Sequence, residues 1–202
     1  MGERVRFDGW ILGLGTTSGT RLVVGYWPRS PLGPVSDVMV ERADGNRVLL
    51  AATPELASFV AGTYSFDEVR VVPVEVGRAP GHWVLRAGPL ALRVRVGRRP
   101  PLGWALRTVP SPLARTPAWV SLLDPFARVA GLRTRGTAGG GRTEWYGVQD
   151  LHLIRSASAT WDGADLGGLA RVDPPVRFGF GSVPPTPSVV RVTTTIGLST
   201  PV

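Results

Sequence analysis

The feature that most constrains this chain is the alternation of apolar and polar residues at every second position. In "VRFDGWILGL" Val5, Phe7, Gly9 and Ile11 fall on one face. In "LALRVRV" Leu90, Leu92, Val94 and Val96 face one way, while Arg93 and Arg95 face the other. Successive strand side chains point to opposite faces, so this pattern specifies half-buried β-strands. "TRLVVGYW", "DEVRVVPVEV", "HWVLRAG", "TEWYGVQDLHLIRSASATW", "VRFGFGS" and "SVVRVTTTI" read as further strands. "SDVMVERADGNRVLLAA" reads as a hairpin joined at Asp44–Gly45, where a primed turn needs positive φ. A second turn falls at Asp162–Gly163. About ten strands with frequent turn signals predict a mainly β protein. The expectation is an antiparallel barrel or curved β-sandwich forming one domain over residues 1–202.

Two helical interruptions are predicted, at 54–62 and within 101–131. Thr53-Pro54-Glu55 combines an N-cap, a proline in the first turn and an early acid, with Gly62 as a stop. Thr116-Pro117 and Asp124-Pro125 repeat the device, and Gly131 can end the last helix. Interior prolines break the hydrogen-bond ladder, so 101–131 reads as several short helices.

The absence of cysteine removes disulfides, thiolate metal sites and a cysteine nucleophile. The two histidines, His82 and His152, have no metal-ligand spacing, so neither a metal nor a cofactor is expected. No apolar run is long enough to span a bilayer as a helix, and the charged N-terminus is unlike a signal peptide. These features predict a cytoplasmic protein. All 23 basic residues are arginine, against 15 acidic ones, giving a formal net charge of +8. Such an excess favours anionic company. The lack of lysine excludes Schiff-base catalysis and a phosphate-loop lysine.

The stretch richest in chemistry is "RTRGTAGGGRTEWYGVQDLHLI". Its glycine run lacks the lysine and the strand-to-helix turn of a phosphate loop and reads as a loop entering a strand. Strict alternation after it places Glu144, Tyr146, Val148, Asp150 and His152 on one face, with Trp145 on the other. If that face points inward, Glu144, Tyr146, Asp150 and His152 form a candidate acid–base set. If it points outward, it is an ordinary solvated strand face. Arg133, Arg135 and Arg142 are candidates to hold an anion, with Trp145 or Tyr146 packed beside it. Trp27 and Arg29, in the proline-rich "YWPRSPLGP", suit a loop at a barrel mouth. Tyr64 and Glu68 in "GTYSFDEVRVVPV" share a face if that segment is extended, although Glu68 equally suits an edge beside Arg70. The Trp- and Arg-rich segment after Arg98 fits a plug, a lid or a membrane-surface segment.

The runs "RTEWYGVQDLH" and "DPPVRFGFGS" resemble a family of proteins from high-GC bacteria that has no established activity. "GTYSFDEVRVVPV" resembles a strand of acetoacetate-decarboxylase-like barrels, in which a Tyr and a Glu precede an alternating segment. That resemblance implies a fold only, because those enzymes use a Schiff-base lysine.

Three functional readings follow. The first is a small-molecule binding barrel for a ligand with an apolar body and an anionic group. The second is a cofactor-independent lyase, isomerase or cyclase working through Glu, Asp, His and Tyr. The third is a nucleic-acid-binding protein. Arginines scattered over strands, such as Arg70, Arg93, Arg95, Arg177 and Arg191, argue against a nucleic-acid groove. The oligomeric state is not legible.

Overall fold

The computed structural model describes residues 4–121, 135–137, 142–179 and 183–197. The chain runs β1 (Arg4–Thr16), β2 (Arg21–Arg29), β3 (Val35–Glu41), β4 (Arg47–Ala51), α1 (Pro54–Ala61), β5 (Glu68–Val71), β6 (Val74–Ala79), β7 (His82–Ala87), β8 (Leu90–Val96), α2 (Pro101–Thr108), α3 (Ser111–Ala114), β9 (Arg135–Thr137), β10 (Thr143–Trp161), β11 (Ala164–Asp165), β12 (Leu169–Ala170) and β13 (Ser188–Gly197). Residues 117–121 are also helical. The main path of the sheet is β5-β4-β3-β2-β1-β13-β10-β8-β7-β6. The protein is therefore mainly β with short helices, as the alternation predicts.

The sheet is mixed rather than wholly antiparallel, because β5 pairs parallel to β4. The connection between them carries α1, and a parallel neighbour requires a crossover of this kind. Thr53 caps α1 by accepting from the Leu56 N–H at 3.2 Å, and Pro54 occupies the first turn. Gly62 ends the helix with right-handed dihedrals. At the β3–β4 hairpin only Gly45 has positive φ, at 87°, so Asp44–Gly45 is not a two-residue primed turn. The Arg42 N–H donates to the Asn46 carbonyl, and Ala43–Gly45 form the loop between them.

β5 and β6 stand at opposite ends of the strand order, yet only Val72 and Pro73 separate them in sequence. The two ends of the sheet must therefore meet. The Val72 N–H donates to the Ala51 carbonyl at 3.0 Å, while its side chain packs over Gly88. Pro73 has no N–H and cannot continue the β4 ladder. The result is a half-barrel closed by chain rather than by hydrogen bonds.

Closure turns one face of β1–β4 toward β7 and β8. Leu12, Leu14, Leu22, Val24 and Leu50 meet Leu85 and Leu92 there in a packed interior. The opposite face of the same strands is also covered. Leu49, Val192 and Ile196 pack beneath Leu56, Ala57 and Val60 of α1. β10 joins the two walls. Its first part, to Leu153, pairs with β13, and its second part, from Ile154, pairs with β8. α2 and α3 lie against β10.

Three local expectations differ. The "VRFGFGS" segment is not a strand within its described residues. Phe178 instead inserts as a buried side chain against Phe66. Trp27 belongs to β2 rather than to the loop that follows. Residues 64–67 are not extended into β5, which begins at Glu68. Asp124–Pro125 and Gly131 lie outside the described residues.

A buried ion pair fastens the segment before Phe178 to the sheet. Glu41 is fully buried and contacts Arg21 at 3.0 Å and Arg177 at 2.7 Å. The Arg177 N–H also donates to Glu41, and Arg21 donates to the Pro174 carbonyl. Removing one partner of a buried pair strands the other charge away from water. We predict that Glu41→Ala lowers stability by about 3–5 kcal/mol in urea unfolding, with Glu41→Gln costing less. An effect within experimental error would show that Arg21 is not charge-locked by Glu41.

Candidate functional site

The face of β1–β3 and β13 beneath α1 lines a partly open cavity of about 70 Å³. Its walls are mostly apolar, including Phe7, Ile11, Leu56, Phe59 and Ile196. Four polar side chains interrupt them: Asp37, Tyr64, Tyr146 and Thr194.

Tyr146 arrives from β10, and Tyr64 from the turn after α1. Both reach Glu144, which is completely buried behind them. The Tyr64 hydroxyl lies 3.0 and 2.9 Å from the two carboxyl oxygens, and the Tyr146 hydroxyl lies 2.9 Å from one of them. The two hydroxyls are 2.8 Å apart. With Glu144 neutral, the carboxyl and two phenols hold one proton each, enough for a ring of donors and acceptors. With Glu144 ionised only two protons remain, so when both phenols donate to the carboxylate none is left for the contact between them. Burial pushes Glu144 up to about 7, while the phenol bonds and the Arg142 charge pull the other way. Burial likewise raises both phenols well above their ordinary range, so both remain protonated.

Asp37 forms the second polar wall. It is buried, accepts from the Trp27 indole N–H at 3.0 Å and is pushed by burial up to about 7. Gly25 makes room for this pair. A Cβ there would stand 2.4 Å from the indole nitrogen and 2.5 Å from the Asp37 carboxyl. Thr194 completes the set, with a buried hydroxyl that finds no partner among the described residues.

The structure divides the row of residues that strict alternation placed on one face of β10. Glu144, Tyr146 and Val148 face the α1 side. A β-bulge between Val148 and Asp150 then inserts one residue. Such a bulge reverses which residues face which side. Leu151 and Leu153 take over the α1 face, and Asp150 and His152 turn to the other wall. There Asp150 accepts from Arg99 at 2.7 and 2.9 Å, and that bond helps hold its carboxyl below the usual range despite partial burial. Arg99 also meets His152 Nε2 at 3.0 Å. A guanidinium only donates, so Nε2 accepts in this contact, while Nδ1 faces the Gly97 carbonyl oxygen at 3.3 Å.

The remaining candidates are spread out. Trp145 faces away from the cavity, donates to Ser121 and lies under Arg4. Arg142 closes the end of α1, donating to Thr63 and to the Phe59 carbonyl. Arg29 is exposed at the end of β2. Glu68 pairs with Arg70 at 2.6 Å on the edge strand, and that bond lowers its carboxyl. The Arg135 backbone pairs opposite Trp145. Arg133 lies outside the described residues. Asp37 and Thr194 were missed by the sequence reading. Asp37 stands alone among apolar residues in "SDVMV", and Thr194 is the middle one of three consecutive threonines, so neither carries a distinguishing local signal.

Asp37 and Glu144 each bind their proton more tightly folded than unfolded, where they titrate near 3.8 and 4.5. Their contribution to stability is therefore full below the unfolded values and lost as pH rises through about 7. The thermal midpoint should fall between about pH 5 and about pH 8. Asp37→Asn should flatten that slope, and Glu144→Gln should flatten it further. A midpoint that rises over this interval in the parent protein would contradict the burial argument.

No family model matches the chain, and no curated protein matches it. Among solved structures, the chain is similar to acetoacetate decarboxylase from Legionella pneumophila. The two share 9% identity over 98% of this chain and 86% of the other, with a TM-score of 0.46. A second acetoacetate decarboxylase structure gives 10% identity, 96% and 87% coverage and the same TM-score of 0.46.

Proposed function

We propose that the protein is a small-molecule binding half-barrel whose ligand has an apolar body and an acidic group. The observation that carries this reading is the mostly apolar cavity beneath α1, into which Asp37, Tyr64, Tyr146 and Thr194 bring polar groups. Ligand sites commonly combine apolar walls with a few convergent polar groups. The cavity's volume of about 70 Å³, open on one side, suits the end of a short chain rather than a large cofactor. Thr194 offers a hydroxyl that no group among the described residues satisfies, and a buried polar atom of that kind calls for a partner. An acidic ligand group can share a proton with the phenol–carboxyl ring. The positive charge of Arg142 acts on that ring and favours an acid over a base.

The test is thermal stabilisation by hexanoate, compared with hexanol and hexanamide. Hexanoate should raise the midpoint most, and more near pH 6 than near pH 8. Tyr146→Phe and Thr194→Val should each weaken binding about tenfold, or about 1.4 kcal/mol. Equal stabilisation by all three compounds, or variants that bind like the parent, would remove the acidic-group assignment.

A second reading is acid–base catalysis, favoured by one observation: Glu144 is poised near neutrality inside a closed set of hydroxyls. A general acid–base works best when its pKa lies near the working pH. In this reading Glu144 exchanges a proton with the substrate through Tyr64 or Tyr146. Incorporation of solvent deuterium beside the carbonyl of small ketones, followed by NMR, would report it. Glu144→Gln should abolish the exchange, and exchange that survives this change would assign the chemistry elsewhere.

A further inference from the structure

On the other side of the same wall, at the open end between the two walls, lies a second and larger cleft of about 530 Å³. Its apolar surface comes from Trp10, Trp83, Val96 and Val189, and its cations are Arg78 and Arg191. Trp10, Arg191 and Asp150 are cross-strand neighbours on β1, β13 and β10, which fixes their order along the cleft. Arg78 reaches over from the end of β6. Its guanidinium carbon lies 4.1 Å from the centre of the Trp10 ring and 5.3 Å from Trp83, and that of Arg191 lies 4.4 Å from Trp10.

Two guanidiniums held over one indole place like charges close together. Burial and the neighbouring cations Arg115, Arg29 and Arg78 depress the pKa of Arg191, against the pull of Asp8. Arg191 donates to two neutral acceptors, the Gly9 carbonyl at 2.7 Å and the Val192 carbonyl at 3.4 Å. Among the described residues no carboxylate comes within ion-pairing distance of Arg78 or Arg191. Asp150 in the same cleft is already committed to Arg99 at 2.7 Å, with Arg107 at 3.7 Å. The cleft therefore keeps a net positive charge beside aromatic and aliphatic surface. An oxyanion would relieve the repulsion and meet guanidinium edges in their preferred planar geometry.

We propose that this cleft is a binding site for a flat organic oxyanion, held by Arg78 and Arg191 with its apolar body against Trp83, Val96 and Val189. The site is separate from the cavity beneath α1 and does not depend on what that cavity binds. Its ligand is permanently ionised, whereas the cavity is read as holding an acid that shares a proton.

Calorimetry with 2-naphthalenesulfonate tests the assignment, because a sulfonate stays ionised and a naphthyl group is large for the cavity beneath α1. Neutral 2-naphthamide and inorganic sulfate are the controls. The sulfonate should bind at least about tenfold more tightly than either control. Arg78→Gln, at an exposed position on an edge strand, should weaken it about tenfold, while Tyr146→Phe should leave it unchanged. Arg78→Lys should recover part of the loss. Equal binding of naphthamide would overturn the role of the charge, and equal binding of sulfate would reduce the site to an adventitious ion only. Binding that is lost in Tyr146→Phe but kept in Arg78→Gln would overturn this cleft and place the ligand beneath α1. Loss in both variants, or no binding by the parent protein, would also overturn it.

Discussion

The corner at Val72–Pro73 governs the rest of the architecture. β5 and β6 form one extended stretch of chain, yet each belongs to a different end of the sheet. Two residues span only a few ångströms, so those ends cannot separate. The sheet must curl until its walls face each other, and the interior must fill with side chains from both. Leu, Val and Trp residues do so, leaving the interior between the walls packed rather than hollow. The open space lies elsewhere, at the end of the walls and beneath α1.

Burial on both faces of β1–β4, and along the first part of β10, also explains which polar groups behave unusually. A polar side chain on these segments enters a fully or partly desolvated environment. Glu41 meets this with two arginines, and Asp150 meets it with Arg99. Asp37 and Glu144 have no such bonded cation among the described residues and instead accept from an indole and from phenols. Desolvation then dominates, and both carboxyls move toward neutrality. The arginine excess thus has two physical roles: some guanidiniums neutralise buried carboxylates, and others remain available at the mouth of the half-barrel.

Much of the fold was legible because alternation survives wherever a strand has one polar face. β7 and β8 show it most clearly, with Trp83, Leu85, Leu90, Leu92 and Val94 buried and their neighbours exposed. It is weaker in β2 and β4, where runs such as Leu22-Val23-Val24 and Val48-Leu49-Leu50 are buried throughout. Such runs carry no period, so the second layer beneath α1 left no direct mark. The capping signal at Thr53 located α1 but could not announce that the helix would carry a parallel crossover. Of the site, Glu144, Tyr146 and Tyr64 stood out as polar residues in apolar company. Their meeting depends on contacts across about eighty residues of chain, which local patterns do not encode. Strict period-two counting also failed at Gln149, because a bulge has no reliable sequence signature.

That bulge makes β10 sensitive to its own length. One additional residue lets a continuous strand contribute Tyr146 to one side of the wall and Asp150 and His152 to the other. Deleting Gln149 would remove the bulge and leave Asp150, Leu151, His152 and Leu153 on their present sides. Deleting a regularly paired residue such as Leu151 would instead turn His152 into the layer beneath α1 and Leu153 out of it. β10 can therefore lose a residue at the bulge but not beside it, since its spacing allots side chains to two separate chambers.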